Sequence, residues 1–281
     1  MFHNIDYNTM KLFLAFLSLC FYKLNASYNE HLIETALNIS QSSYCLSKMD
    51  TWECQTCSSS NIYETKLDQN SELIIFGYNN DYECMFVGFR GSSNLQNWIS
   101  NIQISQIQPY DDQEIFVDKG FYHLYDNLKP SILEILSSLA IKYNTNQLLI
   151  TGHSLGGALS TLLAFDLKYK NYDYDIQSII TFGSPRVGND YFSKTFYSFQ
   201  LYSKRITHYH DIVPHIPEEF LNYEHIYNEV WYNEENSNYK ICNDELSEDN
   251  YCSNSCAPTK CTSTSDHLNY LNISMGNDGL C

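Results

Sequence analysis

The sequence predicts an α/β fold with a mostly parallel central sheet and flanking helices, and three features carry that prediction. Six short apolar runs read as strands, at residues 73–78, 84–90, 147–152, 178–183, 206–209 and 226–232. Helical patterns lie between several of them, and strands that alternate with crossover helices imply a parallel sheet buried on both faces. The 281 residues, 43% hydrophobic and only 17% charged, suffice for a large core and exclude a disordered or coiled-coil chain.

Two helices are clear. Residues 120–142 carry Leu124, Leu128, Ile132, Ile135, Leu136 and Leu139 at helical spacing, and residues 155–169 are apolar almost all round, as a buried helix requires. Residues 233–266 are rich in Asn, Glu and Cys without periodicity, and read as a long surface excursion. No repeat, Pro- or Gly-rich linker or membrane-length apolar run follows residue 26, so residues 27–281 read as a single domain. The 16 Lys and Arg against 33 Asp and Glu give a net charge of −17, a field that repels nucleic-acid phosphates and anionic membrane surfaces. Nucleic acid is excluded as a partner on that ground, and nothing points to an obligate protein partner.

Lys11 precedes an eleven-residue apolar run from Leu12 to Tyr22, too short to span a membrane, with Ala26 as a small residue for cleavage. Residues 1–26 therefore read as a secretory signal, which makes the mature protein extracellular or lumenal in a digestive vacuole. With Cys20 inside that segment, nine cysteines remain, so at least one is unpaired. Cys84, in the apolar run Cys84-Met85-Phe86-Val87-Gly88-Phe89, reads as that buried thiol, and the other eight suffice for four disulfides. A zinc site built from Cys54 and Cys57 with Cys252, Cys256 and Cys261 is the alternative use of those residues. Asn38-Ile39-Ser40 and Asn272-Ile273-Ser274 match the N-glycosylation pattern.

The most informative stretch is Gly152-His153-Ser154-Leu155-Gly156, placed directly after an apolar strand and directly before a helix. In that context G-x-S-x-G is a nucleophile elbow, with Ser154 on a strained turn at the head of the sheet and glycines where backbone passes close to backbone. The helix behind Ser154 aims its N-terminal N–H groups at the position where an oxyanion forms. A serine becomes a strong nucleophile only beside a base whose tautomer is fixed by a carboxylate. Asp211, leaving an apolar run into Ile212-Val213-Pro214, is the carboxylate candidate. Among His208, His210, His215, His225 and His267, the last follows Asp211 and lies near the C-terminus, as the order Ser, Asp, His requires. His208 and His210, on one strand face with His215 nearby, present a rival metal-binding reading; His208 reads rather as a hydrogen-bonded structural residue.

Together these residues resemble the secreted fungal-type class 3 triacylglycerol lipases, a family with the α/β-hydrolase fold. The resemblance runs from about Tyr44 to Cys281. It is carried by Tyr44-Cys45 with residues 51–57, Val87-Gly88-Phe89-Arg90-Gly91-Ser92-Ser93, Asn97-Trp98-Ile99, Lys119-Gly120-Phe121, the elbow, residues 181–189, Asp211-Ile212-Val213-Pro214 and His267-Leu268. It implies Ser154 as nucleophile, Asp211 as orienting carboxylate and His267 as general base. It further implies an oxyanion hole from Ser92, through its N–H and hydroxyl, and from the Leu155 N–H, with no metal or cofactor. Its disulfide scheme pairs Cys45 with Cys281, Cys54 with Cys57 and Cys242 with Cys252, leaving Cys256–Cys261 as a bridge particular to this chain. His210 and His215 depart from the residues common in the family.

Leu95, Trp98, Ile99 and Ile102 lie at i, i+3, i+4, i+7 on one face of a short helix directly after the oxyanion turn, and no charge occurs from Gly91 to Tyr110. Where the family carries a mobile lid, such a face would cover the cleft in water and turn onto lipid. The expectation is therefore an enzyme acting on acylglycerols at an oil–water or membrane interface. A phospholipase A1, a mono- and diacylglycerol lipase or a general carboxylesterase uses the same chemistry; a dead scaffold that only binds lipid is the alternative of another class.

Overall fold

The computed structural model describes residues 28–69, 72–102, 104–276 and 281; the expected signal segment lies outside them. Eight strands form one sheet in chain order: β1 (Asn61–Gln69), β2 (Glu72–Asn79), β3 (Cys84–Phe89), β4 (Gln147–His153), β5 (Asp175–Phe182), β6 (Ser203–His208), β7 (Glu229–Tyr232) and β8 (Tyr239–Ile241). Strands β3 to β7 are parallel, while β1 and β2 at one end and β8 at the other pair antiparallel. The chain thus has the α/β-hydrolase arrangement, a mostly parallel sheet flanked by helices. Five longer helices accompany it: α1 (Glu30–Ser42), α2 (Leu95–Asn101), α3 (Lys119–Tyr143), α4 (Leu155–Tyr169) and α5 (Asp190–Ser198), with the single turn α6 (Thr264–His267) near the end.

Period-two alternation divides the core between the sheet faces. Ile74, Phe76, Met85, Val87, Leu148, Ile150 and Ile179 point to one side, against Leu128, Ile132 and Leu136 of α3 and Leu159, Leu162 and Leu163 of α4. Leu73, Ile75, Phe86, Leu149, Ile180 and Phe182 point to the other, against Leu32, Ile33, Ala36 and Leu37 of α1. A polar pin adds to that second contact, since Thr151 Oγ1 on β4 donates to Ala36 O at 3.2 Å and lies 2.8 Å from Ser40 Oγ.

The helix α1 has no counterpart among the expected elements, although its signal is ordinary: Asn29 caps Leu32 N–H at 3.1 Å and the apolar residues recur at helical spacing. Strand β1 is also unexpected from sequence, because an edge strand with intermediate exposure and a register break at Tyr63/Thr65 lacks alternation. The excursion over 233–266 contains a strand after all. Tyr239, Lys240 and Ile241 are exposed and pair with β7, forming the second edge of the sheet, again without hydrophobic patterning.

The structure pairs Cys45 with Cys281, Cys54 with Cys57, Cys242 with Cys252 and Cys256 with Cys261, and leaves Cys84 as a buried thiol whose pKa burial pushes up to about 12. Those pairs overturn the zinc alternative, because a disulfide sulfur is no thiolate ligand. Of the two glycosylation patterns, Ser40 is fully buried and Asn272 is exposed with φ 63°.

Candidate active site

Strand β4 ends at His153 and α4 starts at Leu155, so Ser154 alone makes the turn between them. Its φ of 59° and ψ of −130° are rarely adopted by L-residues, at a cost on the order of 1–3 kcal/mol. Ser154 N–H donates to Phe182 O at 2.9 Å, and Gly157 N–H donates to Ser154 O at 2.8 Å, which hold the residue there. A Cβ on Gly156 would stand 2.2 Å from Phe89 O, and one on Gly152 would stand 2.3 Å from Gly156 O. Both glycines of the motif are therefore required by close passage of backbone.

Asp211 lies in the loop after β6, and His267 ends α6. A parallel bridge between Asp211 and Ser263 joins the two segments, with Ser263 N–H donating to His210 O at 3.0 Å and Ile212 N–H to Ser263 O at 3.2 Å. Ser263 also caps α6, its hydroxyl accepting Asp266 N–H at 3.0 Å. His267 Nδ1 consequently sits 3.0 and 2.9 Å from the two Asp211 carboxylate oxygens, with the side chains 0% and 1% exposed. A carboxylate only accepts, so Nδ1 carries the proton and Nε2 keeps its lone pair. Tyr270 O–H, at 2.5 Å, and Val213 N–H, at 2.8 Å, also donate to Asp211, offsetting the burial of its charge. Burial and the Asp211 carboxylate hold the Tyr270 phenol well above its ordinary pKa, so it remains a donor.

Ser154 Oγ and His267 Nε2 are buried and have no hydrogen-bond partner among the described residues. They line one cavity of about 280 Å³ together with Ser92, Leu95, His153 and Leu268. A hydroxyl and an imidazole nitrogen that share one cavity and spend no hydrogen bond on other protein groups can serve as a nucleophile and its base. His153 stands behind them, its ring 4.5 Å from that of His267, and burial with the neighbouring imidazole holds its pKa well below the ordinary value.

Ser92 follows β3 and faces two cavities. Its hydroxyl stays within its own turn, 3.4 Å from both the N and O of Asn94. The second cavity, of about 320 Å³, is lined by Ser92 and Leu155 with Trp98, Ile102, Phe121 and Leu124. Leu155 is the first residue of α4, where position alone leaves the N–H without an intrahelical acceptor. Helix α2 is capped by Asn94, which accepts Asn97 N–H at 3.1 Å, and none of its residues is buried. Leu95 lines the first cavity, whereas Trp98 and Ile102 line the second, with Trp98 stacked on Phe121 at 6.3 Å. Ile99 is half-buried and lines neither.

The rival metal reading of His208, His210 and His215 does not survive. His208 Nδ1 lies 2.9 Å from Asp266 O, and its Nε2 lies 3.0 Å from Asn236 Nδ2 and 3.2 Å from Glu234 O, so protein groups occupy both nitrogens. His210 stacks on Tyr209 at 3.8 Å, and His215 Nε2 lies 3.7 Å from Cys256 Sγ, a sulfur already in a disulfide. Residues absent from the sequence reading of the site are Tyr270, the Val213 N–H and His153. Tyr270 follows His267 by three positions and His153 sits inside the elbow motif, so both were within sight of recognised residues.

Residues 86–221 match the family model described as Lipase (class 3). The lipase of Rhizomucor miehei is 29% identical over 254 residues, covering 86% of this chain and 68% of that protein. The lipase of Rhizopus niveus is 30% identical over 254 residues, covering 86% of this chain and 63% of its own length, so the chain spans somewhat under two thirds of that relative. The solved structure of lipase II from Rhizopus niveus superimposes with a TM-score of 0.80 at 27% identity, over 89% of this chain and 97% of that one. Another structure, at TM-score 0.79 and 26% identity over 89% and 97%, is of a triacylglycerol lipase whose catalytic centre is a serine-protease triad. With its elbow, its sheet and these relatives together, the chain belongs to the class 3 lipases, carboxylic ester hydrolases of the α/β-hydrolase fold.

Proposed function

We propose that this chain hydrolyses the ester bonds of acylglycerols, triacylglycerols foremost, at a lipid–water interface. The observation that carries the proposal is the strained Ser154 on one cavity with His267, whose Nδ1 is bonded to the buried Asp211 carboxylate. In the first half-reaction His267 Nε2 takes the Ser154 hydroxyl proton as Oγ bonds to the ester carbonyl carbon, and the carbonyl oxygen takes the negative charge. The N–H groups of Ser92 and Leu155 and the Ser92 hydroxyl are the donors for that oxygen, worth about 2.7–4 kcal/mol for a well-placed donor. Collapse breaks the bond to the glycerol oxygen, which receives the proton from Nε2 and leaves the acyl group on Ser154. Water repeats the sequence, giving its proton to Nε2 and releasing the fatty acid and Ser154. Asp211 remains a carboxylate throughout and stabilises the imidazolium form of His267.

In this reading α2 is the lid. Its uncharged sequence, its lack of buried residues and its apolar side chains over both cavities support that role. Residues 1–26 act as the secretory signal, residues 27–281 form the single mature domain, and four disulfides suit an oxidising destination. The test is hydrolysis of a triacylglycerol raised through its solubility limit by the secreted protein, beside Ser154→Ala. A Ser154-dependent rate that climbs as droplets appear is expected. A rate that saturates below the limit would make the chain a soluble-ester hydrolase, and no rate above the control would remove the acylglycerol assignment.

A further inference from the structure

The base, the elbow and the oxyanion turn reach the site from three distant segments, and one line of hydrogen bonds connects them. Gly91 N–H donates to the Tyr44 oxygen at 3.0 Å, Tyr44 Oη lies 2.7 Å from His153 Nδ1, and His153 Nε2 lies 2.8 Å from His267 O. Chemistry fixes every direction along it. The His267 carbonyl only accepts, so Nε2 of His153 carries the proton, and the neutral ring accepts at Nδ1. Tyr44 must then donate to Nδ1, which leaves its oxygen lone pairs for Gly91 N–H. The other tautomer would set the Nε2 lone pair against a carbonyl lone pair and take from the Tyr44 hydroxyl its acceptor at Nδ1, so the line has one satisfied arrangement. Burial keeps His153 in the neutral form that this needs. The titratable side chains facing that ring are Tyr44, His267 and, 5.8 Å away, Tyr270.

The outer end of the line is firmly held. Tyr44 precedes Cys45, which is bridged to Cys281, and it follows α1, which is pinned to β4 through Ser40 and Thr151. At the inner end, the His267 carbonyl sets the main-chain position from which Nε2 reaches toward Ser154. At the branch, Gly91 immediately precedes the donor residue Ser92.

We propose that Tyr44 and His153 are positioning residues that lock His267 and the oxyanion turn into one unit, through the hydrogen-bond line from Gly91 N–H to His267 O. This rests on the triad reading above. A displacement of about 1 Å at a reacting group costs on the order of 10²-fold in rate, so loss of the line should act on turnover.

Tyr44→Phe should lower kcat on a soluble ester about 10-fold, and His153→Phe about 50-fold, with KM changing about twofold or less. The double variant should be no slower than His153→Phe alone, because both cut the same line. Thermal melting identifies the folded variants. Folded single variants with unaltered kcat, or losses that multiply in the double variant, would overturn the proposal. Imidazole ¹⁵N spectra of the unaltered protein decide the matter if the variants do not fold. The expected result is an Nε2–H tautomer of His153 that takes up no proton near the ordinary histidine pKa of about 6.5; an Nδ1–H tautomer, or titration near that ordinary value, would overturn it. Ser154→Ala separates the two claims. An active Ser154→Ala protein defeats the triad reading, whereas an inactive one beside fully active Tyr44→Phe and His153→Phe proteins defeats the positioning role alone.

Discussion

On the base side of Ser154, Asp211 and His267 are 1% and 0% exposed, and their polar atoms other than the reacting Nε2 are bonded to protein. On the oxyanion side, the Ser92 hydroxyl is bonded only within its own turn at 3.4 Å, and the helix that follows has no buried residue. The contrast separates chemistry from access. In the proposed mechanism the groups that carry charge on the base side are preorganised in a dry, satisfied setting, while the helix proposed to admit substrate belongs to the weakly packed end of the fold. Damage on the base side should therefore be large and independent of substrate form, damage to the Ser92 donor smaller, and damage to α2 smaller still and dependent on it.

Asp211→Asn tests the first half most severely. An amide removes the charge that fixes the Nδ1–H tautomer, and kcat should fall about 10⁴-fold on soluble ester and emulsion alike. A loss confined to one substrate form would erase the distinction. If the Ser92 hydroxyl is an oxyanion donor as proposed, Ser92→Ala removes it and keeps the backbone N–H, so kcat should drop about 10²-fold with little change in KM, measured on a short soluble ester. Trp98→Ala should reduce emulsion hydrolysis about 10-fold and soluble-ester hydrolysis about twofold or less, because its ring covers the second cavity without touching the triad. Equal losses on the two substrates would deny α2 its role as a lid.

A different effect, on stability and not on rate, concerns the base side. His215, in the loop after Asp211, is pushed down to about 3 by burial and the Arg186 guanidinium. An unfolded histidine titrates near pH 6.5, so below about that pH the unfolded chain binds a proton that the folded chain refuses. Stability from this group is full above about pH 6.5 and is lost as pH falls toward about 3, at about 1.4 kcal/mol per pH unit. Urea midpoints should thus fall more steeply between about pH 6 and about pH 4 for the unaltered protein than for His215→Asn. Parallel slopes would show that His215 is not held neutral.

The legibility of the molecule follows the same division. Strands β3, β4 and β5 and helices α3 and α4 were readable because buried elements must be apolar in the right period. The strained turn at Ser154 and the candidacy of Asp211 and His267, which the fold brings into contact, are legible because the elbow context and chain order restrict the choice. Edge strands β1 and β8 were not, since half-exposed pairing leaves no pattern. Tyr44 and His153 belong to recognised motifs but are not legible as partners of each other, because a contact across 109 residues depends on how α1 docks on β4. Tyr270 was likewise invisible as a donor to Asp211, 59 residues away.

The most direct test of the central claim is labelling with a fluorophosphonate, followed by peptide mass spectrometry. One adduct per chain on Ser154, abolished in His267→Ala and strongly slowed in Asp211→Asn, is the predicted result. No adduct, or an adduct on a different serine that persists without His267, would contradict the assignment of Ser154, His267 and Asp211 as a catalytic triad.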